Sequence, residues 1–405
     1  MPDKKYIAEL GNWQGFKVGS VGRTINNNNQ PEIWVELHPD KRRSMQCVGC
    51  GSMVKKIHDH CERWIDDLPA WGVPTRLLIH LRRVRCPRCG PRMERVSWLE
   101  PYARITTRLA ESIARLCDIL PIKQVADFYD VAWHTAKRIH KHYIKQNLGE
   151  PDFSNVTVIA MDEFAIQKGH RYATIVVEPE TRRVLWVGRG RRREDIRPFF
   201  ELLGERCEHI KAAVMDMWEA YEQEVRAHCK KAEIVFDLFH VCCNYGRDVI
   251  DRVRIDETKR LEKDKQGCEV IKGSKWLLLR NENNLRPQEH IRLQELLAAN
   301  KRITTAYILK DDLKQLWNYK YEGAARSFWK QWYNRAIRSR IKPLKEFARK
   351  MKARLHGILS HCRFPFNTSV LEGINNKIKV IKRMAYGFRD DEYFFLRIQQ
   401  AFPGK

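Results

Sequence analysis

The chain has 405 residues, more than one ordinary hydrophobic core can hold, so we expect two or three domains. Hydrophobic residues make up 43% and charged residues 31% of the sequence, which excludes an intrinsically disordered protein. The formal net charge of +25 favours a polyanionic partner, usually nucleic acid, with a membrane surface as the rival interpretation. Neither an apolar run of about 18 residues nor a signal peptide is evident, so we expect a cytoplasmic protein without a membrane partner.

The first 100 residues predict a small domain of short strands and turns that carries two cysteine pairs. Strands are indicated by the alternating segment Glu32–Leu37 and the apolar run Leu77–Leu81. The pairs are C-x2-C motifs separated by 35 residues, and their members are Cys47 with Cys50 and Cys86 with Cys89. Four thiolates can hold a structural Zn²⁺ in tetrahedral geometry, so we interpret residues 1–100 as a zinc-ribbon-like domain.

Two alternatives to this zinc site stay open. The four cysteines could carry no metal, or the ligand set could differ in detail. Three other possible ligands lie between the pairs, namely His58, His60 and Cys61.

Residues 101–147 predict a helix-turn-helix DNA-binding domain. Two helix candidates, Ile122–Tyr129 and Val131–Tyr143, are joined by a tight turn at Asp130, which is the spacing of this motif. The second helix carries donors suited to phosphates and to base edges in a major groove. These candidate DNA-binding residues are His134, Thr135, Lys137, Arg138 and Lys141. A helical hairpin with a solvated basic face is the alternative.

After a linker at residues 147–155 the pattern predicts a mixed α/β domain over residues 153–244. The predicted strands are Val156–Ala160, Tyr172–Val177, Val184–Val187, Lys211–Met215 and Glu233–Phe236, and the predicted helices are Glu194–Leu203 and Trp218–His228. Asp162 ends the first strand and Asp216 ends the fourth. This order is the layout of the ribonuclease-H-like fold, in which those two strands are neighbours and their two carboxylates can share a metal ion.

From Tyr245 to Leu359 only helical patterns occur, so we expect an all-helical insertion over residues 245–360. Its four tryptophans at positions 276, 317, 329 and 332 are either core residues, which we favour, or residues that stack on DNA. Residues 361–405 then complete the mixed α/β domain that begins at residue 153, with a helix from about Thr368 to Arg383.

This last helix supplies a third acid, Glu372. Its polar face continues with Asn375, Asn376 and Lys379, and its buried stripe is formed by Ile374, Ile378 and Ile381. Three carboxylates are hard oxygen ligands that suit Mg²⁺ or Mn²⁺, and a pair of such ions can catalyse phosphoryl transfer.

Several further motifs are spread over nearly the whole chain. They are Met161–Ala165 with Lys168–His170, Val214–Trp218, Asp237–His240, Leu371–Asn376 and Ala385–Arg389, together with Arg63–Pro69 between the cysteine pairs. Together they closely resemble the ISL-three family of bacterial insertion-sequence transposases. The resemblance implies a DDE transposase in which Asp162, Asp216 and Glu372 bind the metal ions. It also implies that Asp237 and His240 form a D-x2-H element, with either a structural role near the active site or a role in DNA contact.

We therefore expect an enzyme that binds the terminal inverted repeats of an insertion sequence in double-stranded DNA. It would cut the DNA and transfer the freed strand to target DNA through in-line displacements at phosphorus. Two DNA ends must be held together, so we expect a homodimer on DNA, associated with the nucleoid. The alternatives are a DNA-binding regulator, and a nuclease or resolvase of the same fold without strand transfer.

Overall fold

The computed structural model describes residues 4–26, 29–167, 169, 171–366 and 369–404. The chain folds into two compact units, one of residues 1–149 with 384–387 and one of residues 150–383 with 388–405. Three positions named in the sequence predictions, Lys168, His170 and Thr368, lie outside the described residues. Within the described ranges no helix combines the length and the apolar character that crossing a membrane requires.

The first unit contains a five-stranded sheet followed by three helices. Its elements are α1 (Lys4–Gly11), β1 (Phe16–Ile25), β2 (Pro31–Pro39), β3 (Met45–Gln46), β4 (Met53–Val54), β5 (Ile57–Ala70), β6 (Val73–Cys86), β7 (Gly90–Met93), α2 (Thr107–Ile119), α3 (Ile122–Phe128) and α4 (Trp133–Leu148). The strand order is β1-β2-β6-β5, with β7 paired to β6. The central pair β2 and β6 is parallel, whereas β1 with β2 and β5 with β6 are antiparallel.

Two features of this unit, the length of two strands and the presence of helix α1, differ from the sequence prediction. Strands β5 and β6 each span 14 residues and are therefore not short. In β6 the core-facing positions Leu77, Ile79 and Leu81 are buried, whereas Leu78 and His80 between them are half-buried. This alternation extends the strand well beyond its apolar run. Helix α1 was not predicted, because eight residues give too little periodicity to recognise.

A buried aspartate ties the sheet of the first unit to its helices. Asp67 on β5 accepts hydrogen bonds from Trp13 Nε1 at 3.0 Å and from Thr106 Oγ1 at 2.7 Å. Arg108 on α2 donates to the same carboxylate through Nε at 2.7 Å and also through Nη2. Thr106 in turn caps α2 by accepting from Leu109 N. One carboxylate thereby fixes where α2 begins relative to β5.

The second unit is built on a five-stranded mixed sheet. Its strands are β8 (Val158–Gln167), β9 (Arg171–Glu178), β10 (Arg183–Arg189), β11 (Ala212–Met215) and β12 (Glu233–Phe236). The order is β10-β9-β8-β11-β12, in which β8, β9 and β10 are antiparallel neighbours and β11 is parallel to both β8 and β12. The predicted ribonuclease-H-like sheet is confirmed, including the adjacency of its first and fourth strands.

Thirteen helices complete the described part of this unit. They are α5 (Arg193–Leu203), α6 (Glu219–His228), α7 (Leu238–Tyr245), α8 (Asp251–Arg260), α9 (Lys265–Ile271), α10 (Lys275–Leu279), α11 (Pro287–Ala299), α12 (Lys301–Gln315), α13 (Glu322–Arg338), α14 (Lys342–Ala353), α15 (Leu355–Leu359), α16 (Ser369–Met384) and α17 (Asp391–Ala401). The predicted all-helical character between the fifth strand and Glu372 is confirmed.

The two faces of the sheet bury two different cores. One face, with Ile159 and Met161 of β8, continues without interruption into the helices of the insertion, where Trp329 and Trp332 are buried. The other face, with Val158 and Ala160, packs against α16 and α17. The predicted stripe on α16 is confirmed, because Ile374, Ile378 and Ile381 are all buried in this second core.

The four tryptophans of the insertion divide between core and surface. Trp329 and Trp332 are core residues, as favoured from the sequence, and Trp317 is partly buried against the same core. Trp276 is 64% exposed, so the core assignment is wrong for this residue.

We predict that Asp67→Asn destabilises the first unit by about 3 kcal/mol, because an amide nitrogen would then face the donors of Arg108 and Trp13. This loss raises the local opening constant roughly 100-fold. Hydrogen exchange of peptides from β5 and α2 measures it. The neighbouring Asp66→Asn is the matched control, since the carboxylate of Asp66 forms a half-exposed ion pair with Arg76 at 3.2 Å. Equal exchange rates in the two variants would contradict the role of Asp67.

Candidate functional site

Asp162 and Asp216 lie side by side on neighbouring strands. The parallel register pairs Met161 of β8 with Met215 of β11, so the two aspartates occupy the next position on each strand. Neighbouring strands are about 4.8 Å apart. The same register pairs Met215 with Phe236 of β12, which brings Asp237 into the same row. Three acidic residues thus stand abreast where the parallel part of the sheet ends.

One detail of the prediction is wrong, because Asp162 does not end its strand. β8 continues to Gln167, since its antiparallel pairing with β9 extends beyond Asp162 to Gln167 and Arg171. Only the parallel pairing with β11 stops at Met161. Asp162 is therefore still paired with β9 on one side, whereas on the other side it lies just beyond the last residue paired with β11.

The carboxyl group of Asp162 is largely removed from water. The residue is 9% exposed, and burial raises its pKa to about 6. The charge of His240 and a hydrogen bond from Glu163 N at 2.8 Å act in the opposite direction. Asn375 on α16 also stabilises the ionised form, because its Nδ2 donates to Asp162 Oδ2 at 2.7 Å. The accessory role predicted for Asn375 therefore has a defined contact.

The D-x2-H element lies beside this pair of aspartates. Asp237 caps α7, since its Oδ1 accepts from Phe239 N at 3.1 Å. His240, one turn into α7, has its Nδ1 3.5 Å from Asp216 Oδ2 and its Nε2 3.9 Å from Asp237 Oδ2. The imidazole thus lies between two of the three acids in the row.

Glu372 lies on α16 one turn before Asn375, the residue that contacts Asp162, so both side chains project from the same face of the helix. Glu372 is exposed. Burial raises the pKa of the Cys243 thiol, and the negative charges of Asp237, Asp216 and Glu372 raise it further. Asp237, Asp216 and Glu372 are therefore all close enough to this thiol to act on it electrostatically.

The three predicted ligands do not form a closed cage. Among the described residues, the groups whose ligand atoms all lie within 4.8 Å of one another do not include Asp162, Asp216 and Glu372. A site for two metal ions does not require such a cage, because the ions are about 3.5–4 Å apart and separate acids can bind each of them. On the same helix, Lys379 Nζ donates to Asn376 Oδ1 at 3.2 Å, so these two accessory candidates contact each other.

Arg191 is a residue of this region that the sequence analysis missed. Its guanidinium lies 4.3 Å from the centroid of the Tyr172 ring and 4.6 Å from that of Trp218, and it pairs with Glu163 at 3.2 Å. Trp218 Nε1 also donates to Arg191 O at 3.0 Å. Because Glu163 and Trp218 follow the two catalytic candidates closely in sequence, Arg191 braces both. Nothing in the arginine-rich run 189–193 distinguishes this residue from its neighbours.

The four cysteines come together at the tips of two hairpins in the first unit. The β3–β4 hairpin carries Cys47 and Cys50, the β6–β7 hairpin carries Cys86 and Cys89, and all four sulfur atoms lie within 4.8 Å of one another. Hydrogen bonds from Ser52 lower the pKa of Cys50 to about 6, whereas the hydrogen bond with Cys50 raises the pKa of Cys89. The three alternative donors between the pairs are not part of this group.

The helix-turn-helix is formed by α3 and α4. Asp130 in the turn has a left-handed backbone with φ of 52°, and Ala126 is buried in the small core that holds the helices together. Helix α4 starts at Trp133 and ends at Leu148, so it begins later and runs further than predicted. His134 and Arg138 are exposed, whereas Thr135, Lys137 and Lys141 are half-buried.

Three family models match the chain. A model described as a transposase matches residues 159–398, and one described as the helix-turn-helix domain of transposase family ISL3 matches residues 94–144. The third, described as the zinc-finger of transposase IS204/IS1001/IS1096/IS1165, matches residues 43–89. A ribonuclease-H-like sheet with its row of acids, a helix-turn-helix and a zinc ribbon define a DNA-processing protein of the transposase class. The chain belongs to the ISL3 family of transposases, the ISL-three family that its motifs resemble.

Two relatives show how far this similarity extends. The chain is 47% identical over 412 residues to the transposase for insertion sequence element IS1001 of Bordetella parapertussis, which covers 100% of this chain and 99% of the relative. It is 25% identical over 346 residues to the transposase for insertion sequence element IS1557 of Mycobacterium tuberculosis, with 80% and 78% covered. The similarity to the first relative therefore includes both units.

We predict that Asp162→Asn stabilises the protein at pH 8 without added Mg²⁺, by about 1–3 kcal/mol. The folded pKa of about 6 lies above the ordinary 3.8, so the folded state binds more protons between these values. Stability is therefore lost as the pH rises through this window, and the loss is complete above it. Thermal unfolding should show a larger gain at pH 8 than at pH 5. Asp256→Asn, on an exposed position of α8, should change little at either pH. A loss of stability in Asp162→Asn at pH 8 would contradict this reasoning.

Proposed function

We propose that this protein is the transposase of an insertion sequence, which binds the terminal inverted repeats and catalyses metal-dependent strand cleavage and strand transfer. Asp162, Asp216 and Glu372 would hold Mg²⁺ or Mn²⁺. The observation that carries the proposal is the buried carboxylate of Asp162 beside Asp216, with Asn375 of the Glu372 helix donating to it. Such an arrangement is costly in a protein that has no use for it.

The residues at this site fit a divalent cation. Asn375 Oδ1 is buried without a hydrogen-bond partner, although the Nδ2 of the same amide is bound to Asp162. A cation would complete these surroundings, because an unpaired buried acceptor lies next to a carboxylate whose pKa is raised by burial. The donor set consists of carboxylate and amide oxygens, the ligands that Mg²⁺ and Mn²⁺ prefer.

The residues of the chain would have separate tasks in the reaction. When bound, the metal ions would stabilise the attacking and leaving oxygens of an in-line displacement at phosphorus. Asn375 would hold the Asp162 carboxylate in its ionised form and orientation. His240, placed between Asp216 and Asp237, would orient the second carboxylate. Arg191 would fix the segments that follow the two aspartates by stacking between Tyr172 and Trp218.

The first unit would recognise the DNA ends. The exposed side chains of His134 and Arg138 on α4 would reach base edges or phosphates, with Thr135, Lys137 and Lys141 along the same helix. Zn²⁺ at the cysteine group would have a structural role, since four protein thiolates leave no open position. The net charge of +25 would support phosphate contacts.

The remaining expectations belong to this proposal. We place the boundaries at 1–100 for the zinc ribbon, 101–147 for the helix-turn-helix, 153–244 and 361–405 for the catalytic domain, and 245–360 for the insertion. A homodimer would hold two element ends, and the protein would act in the cytoplasm, associated with the nucleoid when bound to DNA.

We predict that Asp162→Asn, Asp216→Asn and Glu372→Gln each reduce DNA cleavage more than about 100-fold, beyond the effect typical of residues that only support a metal ligand. A supercoiled plasmid that carries the element ends, incubated with Mg²⁺, provides the assay, and gel shift measures end binding. Binding should be retained in all three variants. Glu219→Gln is the matched control, because Glu219 lies near Asp216 in sequence but its carboxylate accepts from Gln223 on the exposed side of α6.

The products of this assay separate the candidate functions for the wild-type protein. Joined products support a transposase, nicks without joining indicate a nuclease or resolvase, and binding without cutting indicates a regulator. Full cleavage by any of the three acid variants would contradict the site assignment.

We predict that Asn375→Ala lowers the cleavage rate about 10–100-fold, with end binding unchanged. Without the amide donor the pKa of Asp162 rises further, so protons compete better with the metal. At subsaturating Mg²⁺ the acidic limb of the pH–rate profile should move to higher pH, a shift that a general loss of stability does not produce. Lys377→Ala on the same helix, whose Nζ bonds Ala401 O at 2.8 Å, should leave the limb in place. If the acidic limb of the pH–rate profile stayed at the same pH in Asn375→Ala, the proposed role of Asn375 in positioning Asp162 would be contradicted.

A further inference from the structure

A second group of possible metal ligands lies on the sheet of the first unit, apart from the cysteines. Glu36 and His38 are on β2, and His80 is on the neighbouring parallel strand β6. Their ligand atoms all lie within 4.8 Å of one another. These side chains alternate with the buried Leu37 and Ile79, so they project from the face of the sheet opposite the core.

One carboxylate oxygen lies between two imidazole nitrogens in this group. Glu36 Oε1 is 3.0 Å from His80 Nε2 and 3.3 Å from His38 Nε2. The two rings are stacked with centroids 4.2 Å apart and an angle of 15° between their planes, so one ring has to rotate for both nitrogens to point at a single ion. In a tetrahedral zinc site with bonds of about 2.0–2.1 Å, neighbouring ligand atoms are roughly 3.3 Å apart. The two measured separations are close to this edge length.

The second nitrogen of His80 faces a further carboxylate. His80 Nδ1 is 3.2 Å from Glu62 Oε1 on β5. When Nδ1 carries the proton and donates to Glu62, the lone pair of Nε2 points towards the Glu36 carboxylate. Two acceptors at 3.0 Å need a cation between them, which is either a proton or a metal ion. A carboxylate behind a metal-binding histidine is the usual support for such a ligand.

We propose that Glu36, His38 and His80 form a second Zn²⁺ site, with Glu62 as the positioning residue for His80. Imidazole and carboxylate ligands suit Zn²⁺, and three protein ligands leave a fourth position for water. His38 is about half-exposed, so solvent reaches that position.

The site joins the two central strands of the sheet that precedes the helix-turn-helix. The side chains reach it from β2, which pairs with β1, and from β6, which pairs with β5. Metal bound here stabilises the folded first unit by mass action, because the unfolded chain does not hold the three ligands together. The three ligands of this site belong to neither the proposed catalytic site nor the cysteine group. The proposal for this site can therefore be wrong while the other two are right, or right while they are wrong.

Zinc stoichiometry of the full-length protein tests this proposal. After equilibration with about 10 μM free Zn²⁺, the range in which a three-ligand surface site should fill, elemental analysis should give one more zinc per chain in the wild type than in His38→Gln or His80→Gln. His58→Gln is the matched control, since His58 is an exposed histidine of β5 whose ring pairs with Asp59 and lies outside the Glu36, His38 and His80 group. It should keep the wild-type stoichiometry. Comparing variants with the wild type makes the result independent of whether the cysteine group is filled.

Two further measurements complete the test. Glu62→Gln should weaken zinc binding about 10–100-fold without abolishing it at saturation. The more weakly bound zinc of the loaded wild type is first removed selectively, and Co²⁺ is then added in its place. The bound Co²⁺ should give visible absorption without thiolate charge-transfer bands. The proposal is overturned if the wild type and His38→Gln hold equal zinc, or if the second equivalent shows thiolate bands. It is also overturned if NMR titration shows that only protons bind the two imidazoles.

Discussion

The parallel register of β8 and β11 is the constraint on which the proposed active site depends. Because Met161 pairs with Met215, the next residues bring two aspartates to adjacent positions at the edge of the parallel pairing. One of them is buried, so the fold places like charges together in a region that solvates them poorly. The surrounding groups compensate in part, with the amide of Asn375 on one side and the imidazole of His240 on the other.

The rest of the second unit follows from how the two faces of this sheet are covered. One face is buried against a core that is continuous with the helical insertion, and the other is buried against α16 and α17. The apolar stripe of α16 packs onto the sheet, which leaves its polar face to carry Glu372 and Asn375. Asn375, far away in sequence, is thus brought into contact with Asp162 by ordinary hydrophobic packing of its helix.

Strong periodic patterns explain which parts of this fold could be predicted. The strands of the second unit are short apolar runs bounded by turns, and the stripe of α16 has a clean helical period, so both were found. The cysteine pairs were found because metal binding by thiolates restricts their spacing, and the assignment of the three acids as metal ligands stays a prediction. The extension of β8 beyond Asp162 was missed, since it depends on antiparallel pairing with β9 and not on a local apolar pattern.

Contacts between residues distant in sequence could not be predicted in the same way. Arg191 stacks between two rings from separate elements, and no feature of its arginine-rich surroundings marks it. Likewise, Glu36, His38 and His80 meet only because β2 and β6 are parallel neighbours, a pairing that the two strand patterns do not specify. Asp67 is an ordinary acidic residue in the sequence, yet its buried carboxylate accepts hydrogen bonds from Trp13, Thr106 and Arg108.

Anomalous diffraction from crystals of the protein bound to one element end in Mn²⁺ tests the central claim most directly. We expect Mn²⁺ to be bound by Asp162 and Asp216, and we expect Glu372 to be a ligand of at least one ion. If two ions bind, they should be about 3.5–4 Å apart. Manganese absent from the aspartates, or a Glu372 carboxylate that binds no ion while DNA occupies the site, would contradict it.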